Sequence, residues 1–96
     1  MADVVVDPGA REVVRAGQPI QLTQREFDLL VCLLNHANQV LSREQLLEQV
    51  WGFDFYGDTN IVDVYIRYLR QKLDKPFTNP LIQTVRGVGY MIKEKK

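Results

Sequence analysis

The sequence predicts an α+β domain, with a short N-terminal antiparallel sheet, three helices and a C-terminal β-hairpin around one core. Three observations carry that expectation. Residues 4–22 hold three short β-branched runs separated by turn chemistry. Residues 23–52 hold two helix starts with reciprocal caps, and residues 58–93 hold an amphipathic helix followed by two strand-like runs across a glycine turn. At 96 residues the chain is long enough for one modest core, so a single domain over residues 1–96 is expected.

Residues 4–6, 12–15 and 20–22 read as strands, with Asp7-Pro8-Gly9 and Ala16-Gly17-Gln18-Pro19 as the turns between them. Asp3, Asp7 and Glu12 read as solvated turn and edge charges. Thr23 and Glu26 have the spacing of a capping box, in which the threonine oxygen accepts an orphan N–H and the glutamate reaches back; Leu22 and Phe27 supply the hydrophobic staple. The helix that starts at Gln24 is dense in apolar residues, Phe27, Leu30, Val31 and Leu34 among them, and is expected to be the central core helix, ending near residues 36–38. Ser42 and Gln45 repeat the device, with a helix expected over residues 43–50 that turns out at Gly52. Only Gln39, Val40 and Leu41 separate the first helix from the second cap, which predicts a tight helix-turn-helix pair.

The third helix, over residues 59–74, is amphipathic. At 100° per residue Val62, Ile66, Leu69 and Leu73 form one stripe, and Asn60, Asp63, Val64, Arg67, Arg70 and Gln71 fall opposite. Arginine and amide side chains can hydrogen-bond base edges bidentately, and a small apolar group can meet a thymine methyl, so this face has the chemistry for a major groove; a solvated surface helix is the plain alternative. Asp63 is expected to hold Arg67 or Arg70 by an ion pair. Residues 81–86 and 90–93 read as strands joined across Gly87-Val88-Gly89, with Arg86 at the tip, suited to a minor groove. Arg43, in the first turn of the second helix, reads as a phosphate contact or as a solvated arginine.

Net charge is zero, yet residues 1–58 carry four Lys/Arg against nine Asp/Glu (−5) and residues 59–96 carry eight against three (+5). The basic end holds the candidate groove helix. Residues 51–58, WGFDFYGD, concentrate four aromatic rings in a loop, some closing the core and others offering a protein contact.

The order LTQREFDLL, LSREQLLEQVWG, VDVYIRYLRQKLD and IQTVRGVGYMI resembles the winged helix-turn-helix effector domain of OmpR/PhoB-type response regulators over essentially the whole chain. The resemblance implies a bacterial transcription factor module, cytoplasmic, with a receiver domain normally preceding it and absent from this chain. It implies that the third helix reads the major groove of double-stranded DNA and the wing, residues 81–93, the minor groove. The loop between the second and third helices, Phe53, Asp54, Phe55 and Tyr56, would contact RNA polymerase. Residue by residue it places base or groove contacts on Val64, Arg67, Tyr68 and Arg70, Arg86 in the minor groove, and sugar-phosphate contacts on Arg43, Trp51, Thr84 and Tyr90. Asn60 stands where the family often has a phosphate-binding arginine, Tyr65 where it has a histidine and Tyr68 where it has a frequent second arginine, so weaker non-specific binding and a changed base preference near Tyr68 are expected. The family binds direct repeats as head-to-tail pairs, and a dimer on DNA is expected.

Other classes find little in the residues. Cys32 and His36 lie four apart, but Cys32 sits in the apolar run VCLL with no acidic partner near, the pattern of a small buried hydrophobe and not of a nucleophile. One cysteine and one histidine do not complete a metal site, and residues 84–90 do not make a nucleotide loop, so no enzyme activity, cofactor, metal or small-molecule ligand is expected. No run of ~18 apolar residues spans a membrane. A winged helix used only for protein contact remains the second reading, disfavoured by the cations on the third helix and the wing.

Overall fold

Two turns set the N-terminal sheet. The computed structural model describes residues 4–52, 57–77 and 80–93. Strand β1 (Val4–Asp7) turns into β2 (Glu12–Arg15) where the Asp7 carboxylate accepts from the Gly9 and Ala10 amides at 3.1 and 3.2 Å. From β2 to β3 (Gln18–Ile20) the loop is only Ala16-Gly17, both at positive φ (51° and 80°), the two-residue turn whose twist matches that of the strands it joins. The third strand therefore begins at Gln18, two residues earlier than the expected 20–22. Pro19 is accommodated because β3 is an edge strand in the order β1-β2-β3, where a missing N–H leaves no ladder bond unmade.

Helix α1 (Gln24–Asn35) has the capping box read from the sequence, with both reciprocal bonds formed between Thr23 and Glu26. It buries Phe27, Leu29, Leu30 and Leu33 and lies at the centre of the core, as expected. The connection to the next helix contains an element not anticipated: Leu41–Ser42 forms a short strand, β4. It pairs with the last strand, so the C-terminal hairpin is part of a three-stranded sheet in the order β4-β6-β5.

Helix α2 (Arg43–Leu46) starts on the Ser42–Gln45 capping box, but it passes without a break into a π-helical turn, Leu47–Trp51, where a regular helix over 43–50 was expected. The Gly52 amide donates to the Leu47 carbonyl (3.1 Å) as well as to that of Glu48 (3.0 Å), the wider i→i−5 bond that defines the bulge. Helix α3 (Asn60–Leu73) buries Val62, Ile66, Leu69 and Leu73 as the periodicity required. Its start is turned by Asp58, whose carboxylate accepts from the Asn60 amide at 3.0 Å, while Thr59 makes no side-chain cap.

The hairpin β5 (Ile82–Val85) and β6 (Gly89–Ile92) closes over the three residues Arg86, Gly87 and Val88, with Gly87 at φ 74°. Gly89 is required for a different reason. It is buried opposite Ser42, and a Cβ built there would stand 1.9 Å from the Leu41 carbonyl oxygen, so only glycine lets β4 reach β6.

Candidate nucleic-acid interface

The buried stripe of α3 fixes which side chains its opposite face presents. Asn60, Val64, Arg67, Tyr68 and Gln71 are exposed there, and Arg70 is half-buried where the helix meets the hairpin. Between α3 and β5–β6 runs a groove of about 830 Å³ lined in part by Arg67, Arg70, Gln71, Lys75, Ile82 and Tyr90. Its lining carries three cations, Arg67, Arg70 and Lys75, and two carboxylates, Asp63 and Asp74.

The structure separates the two arginines of the helix. Arg70 donates from Nη2 to the Ile82 carbonyl (3.3 Å) and to Thr84 Oγ1, and its guanidinium lies 5.6 Å from the centroid of the Tyr90 ring. It braces the hairpin against the helix. Arg67, one turn earlier and fully on the outer face, has no hydrogen-bond or ion-pair partner among the described residues, and neither has Arg86 at the hairpin tip.

Asp63 does not hold Arg67 or Arg70, contrary to the ion pair expected from spacing. Its Oδ1 accepts from Arg43 Nε at 2.9 Å and from the Tyr90 hydroxyl. Three elements, the first turns of α2 and α3 and strand β6, thus meet at one carboxylate. Partial burial pushes the Asp63 carboxyl up, but the hydrogen bonds from Tyr90 and Arg43 outweigh that and hold it below the usual carboxylate range. Burial and the facing carboxylate both push the Tyr90 phenol up, so it stays a neutral donor. No local sequence signal marks this junction, because its members are 20 and 27 residues apart in the chain.

Trp51 packs on the core from its edge. It is half-buried against the core, its ring packs edge-on against Tyr65 at 5.3 Å, and the Arg25 guanidinium lies 5.3 Å from its centroid. Tyr65 in turn packs edge-on against Tyr68 at 5.6 Å. Phe53, Asp54, Phe55 and Tyr56 lie outside the described residues. Cys32 and His36 have ordinary structural partners: the thiol contacts Gln49 Oε1 at 3.2 Å, and His36 Nδ1 bonds to the Cys32 carbonyl at 2.9 Å. Burial pushes the Cys32 thiol up, away from reactivity. Among the described residues no cluster of metal-ligating side chains exists, and no helix is long and apolar enough to cross a membrane.

Residues 17–92 match the family described as transcriptional regulatory protein, C terminal. The chain belongs to that family. Its members of this type are the winged-helix effector domains of OmpR/PhoB response regulators, transcription factors and not enzymes. The chain is 60% identical over 91 residues to the uncharacterised transcriptional regulatory protein YkoG of Bacillus subtilis, covering 95% of this chain and 40% of that one. It is similar to the response regulator DrrB of Thermotoga maritima, an OmpR/PhoB homologue, with a TM-score of 0.84 at 33% identity over 96% of this chain and 42% of that one. It is also similar to the RstA DNA-binding domain of Klebsiella pneumoniae, solved in complex with the RstA box, with a TM-score of 0.83 at 37% identity over 95% of this chain and 91% of that one. The chain spans about 40% of the length of the curated relatives it matches.

Proposed function

We propose that this winged-helix domain binds double-stranded DNA in a sequence-specific way as the output part of a two-component response regulator. Helix α3 enters the major groove and the β5–β6 hairpin lies against the adjacent minor groove. The observation that carries the reading is the division of labour on α3: Arg70 is committed to bracing the hairpin, while Arg67 stands on the outer face with its donors unmatched among the described residues. A guanidinium in that setting can make a bidentate contact to a base edge, guanine O6 and N7 above all. Arg86 at the tip is the cation for the minor groove. Arg43, Thr84, Tyr90 and Trp51, with Asn60 at the start of α3, line the path of the sugar-phosphate backbone. The likeness to a domain solved on its DNA box supports the same docking.

A single domain of this size gives a small interface, so pairing on direct repeats is part of the proposal, as are cytoplasmic residence, a contact of residues 53–56 with RNA polymerase, and control from a receiver domain elsewhere in a longer protein. The test is selection from randomised duplexes with this chain at two salt concentrations. Enrichment of a direct repeat spaced about one helical turn, with affinity falling as salt rises, is the expected result. Recovery of no preferred sequence, with binding insensitive to salt, would overturn it in favour of a protein-contact module.

A further inference from the structure

Among the described residues four large apolar side chains are exposed, and two of them share the outer face of α3: Val64 at 38% and Tyr68 at 43%. Four residues apart, they lie one turn from each other on a surface otherwise occupied by Asn60, Arg67 and Gln71. Neither is loosely held. Val64 is β-branched, which leaves essentially one χ1 rotamer in a helix. The Tyr68 ring packs at 74° against Tyr65, Tyr65 packs at 72° against Trp51, and Trp51 lies beneath Arg25, whose Nη1 donates to the Val50 carbonyl at 2.6 Å. A row of rings anchored on α1 therefore fixes the direction of the exposed one.

We infer that Val64 and Tyr68 form a rigid apolar pair that selects thymine through its C5 methyl, at neighbouring base pairs beside the one read by Arg67. The inference rests on the major-groove docking proposed above. Thymine is the only base with an apolar group in the major groove, so an apolar side chain there distinguishes T from C without a hydrogen bond. One helical turn advances 5.4 Å against about 3.4 Å per base pair, so two side chains one turn apart address adjacent or next-adjacent pairs. Because both groups are already ordered, contact with the methyl costs little side-chain entropy.

The test uses the duplex recovered by selection, with each thymine replaced in turn by uracil, which removes only the methyl. Wild-type chain is expected to lose about four-fold in affinity at one or two neighbouring thymines, the factor for burying one methyl group, and to be indifferent elsewhere. Val64→Ala and Tyr68→Ala each shrink the effect at one of those positions, while Tyr68→Phe keeps it. Equal binding of uracil and thymine throughout overturns the inference, and so does a methyl effect unchanged in both alanine variants. A Tyr68→Phe chain that binds every duplex equally weakly, with no methyl-sensitive position, assigns the phenol to a phosphate instead and also overturns it. If wild-type chain binds no duplex at all, the docking reading itself fails; binding without methyl sensitivity sinks only the present inference. Thermal melts of the variants confirm folding, which the exposure of both side chains favours.

Discussion

Arg15, with no exposed surface, donates from Nη1 to the Asp74 carboxylate at 2.8 Å across 59 residues of sequence. The same carboxylate accepts from the Leu81 and Ile82 amides at 2.9 and 3.2 Å, and the Arg15 guanidinium also reaches the Leu73 carbonyl and lies 4.9 Å from the Phe77 ring. One ion pair thus joins the N-terminal sheet, the end of α3 and the start of the wing. Replacing Asp74 by Ala takes the carboxylate away from a buried guanidinium and from two amides, and should cost about 3–5 kcal/mol. Urea unfolding of the Asp74→Ala chain checks this; a change in midpoint equivalent to less than ~1 kcal/mol would show that the three elements are joined by other means.

Gly89→Ala should destabilise the fold by about 3 kcal/mol, because the added methyl meets the Leu41 backbone and β4 must separate from β6. The comparison is with Gly87→Ala at the tip, where a Cβ meets nothing within 4 Å and only the positive φ resists it. Equal melting temperatures for the two variants would contradict the close-approach argument.

Acid should weaken the fold through two carboxyls. Burial pushes Glu26 up, but the hydrogen bonds from Lys72 and from the Thr23 backbone outweigh that and leave it below its ordinary value. Asp63 is likewise lowered. A group that titrates lower in the folded chain contributes fully above its unfolded value, about pH 4.3 for Glu and 3.9 for Asp, and loses that contribution as pH falls through the folded value. The urea midpoint should hold level from neutrality to about pH 5 and then fall. In Glu26→Gln the fall should be shallower, and an identical pH profile would argue against the Lys72 pairing.

On DNA, Arg67→Ala should cost roughly 1–3 kcal/mol and relax the preference at one base pair. Arg43→Ala should weaken all sequences about equally and flatten the salt slope, with the added effect that the Asp63 carboxylate loses its cation. Competition binding with matched and scrambled duplexes at two salt concentrations separates the two. An Arg67→Ala chain with unchanged preference would mean that another face docks.

Local physics determined much of this protein in advance. The two capping boxes, the stripe Val62, Ile66, Leu69 and Leu73, and the glycine-turned hairpin were legible because each depends on residues within a few positions of one another, and the outer face of α3 followed from the same periodicity. The motif resemblance added the winged-helix family. What the tertiary structure decided was how those pieces meet. The strand at Leu41 and Ser42 exists only because β6 comes alongside it, and the π-helical turn before Gly52 has no signal in the helical periodicity of its residues. Arg15 carried a partial signal, since alternation in EVVR puts it on the inward side with Val13, but its acceptor lies at the far end of α3. Asp63 was misassigned for the same reason: spacing offers Arg67 one turn away, whereas folding delivers Arg43 and Tyr90 at hydrogen-bond distance. Charge pairing acts through space, and only the fold fixes which ions are near enough to claim a carboxylate and which are left to meet a partner.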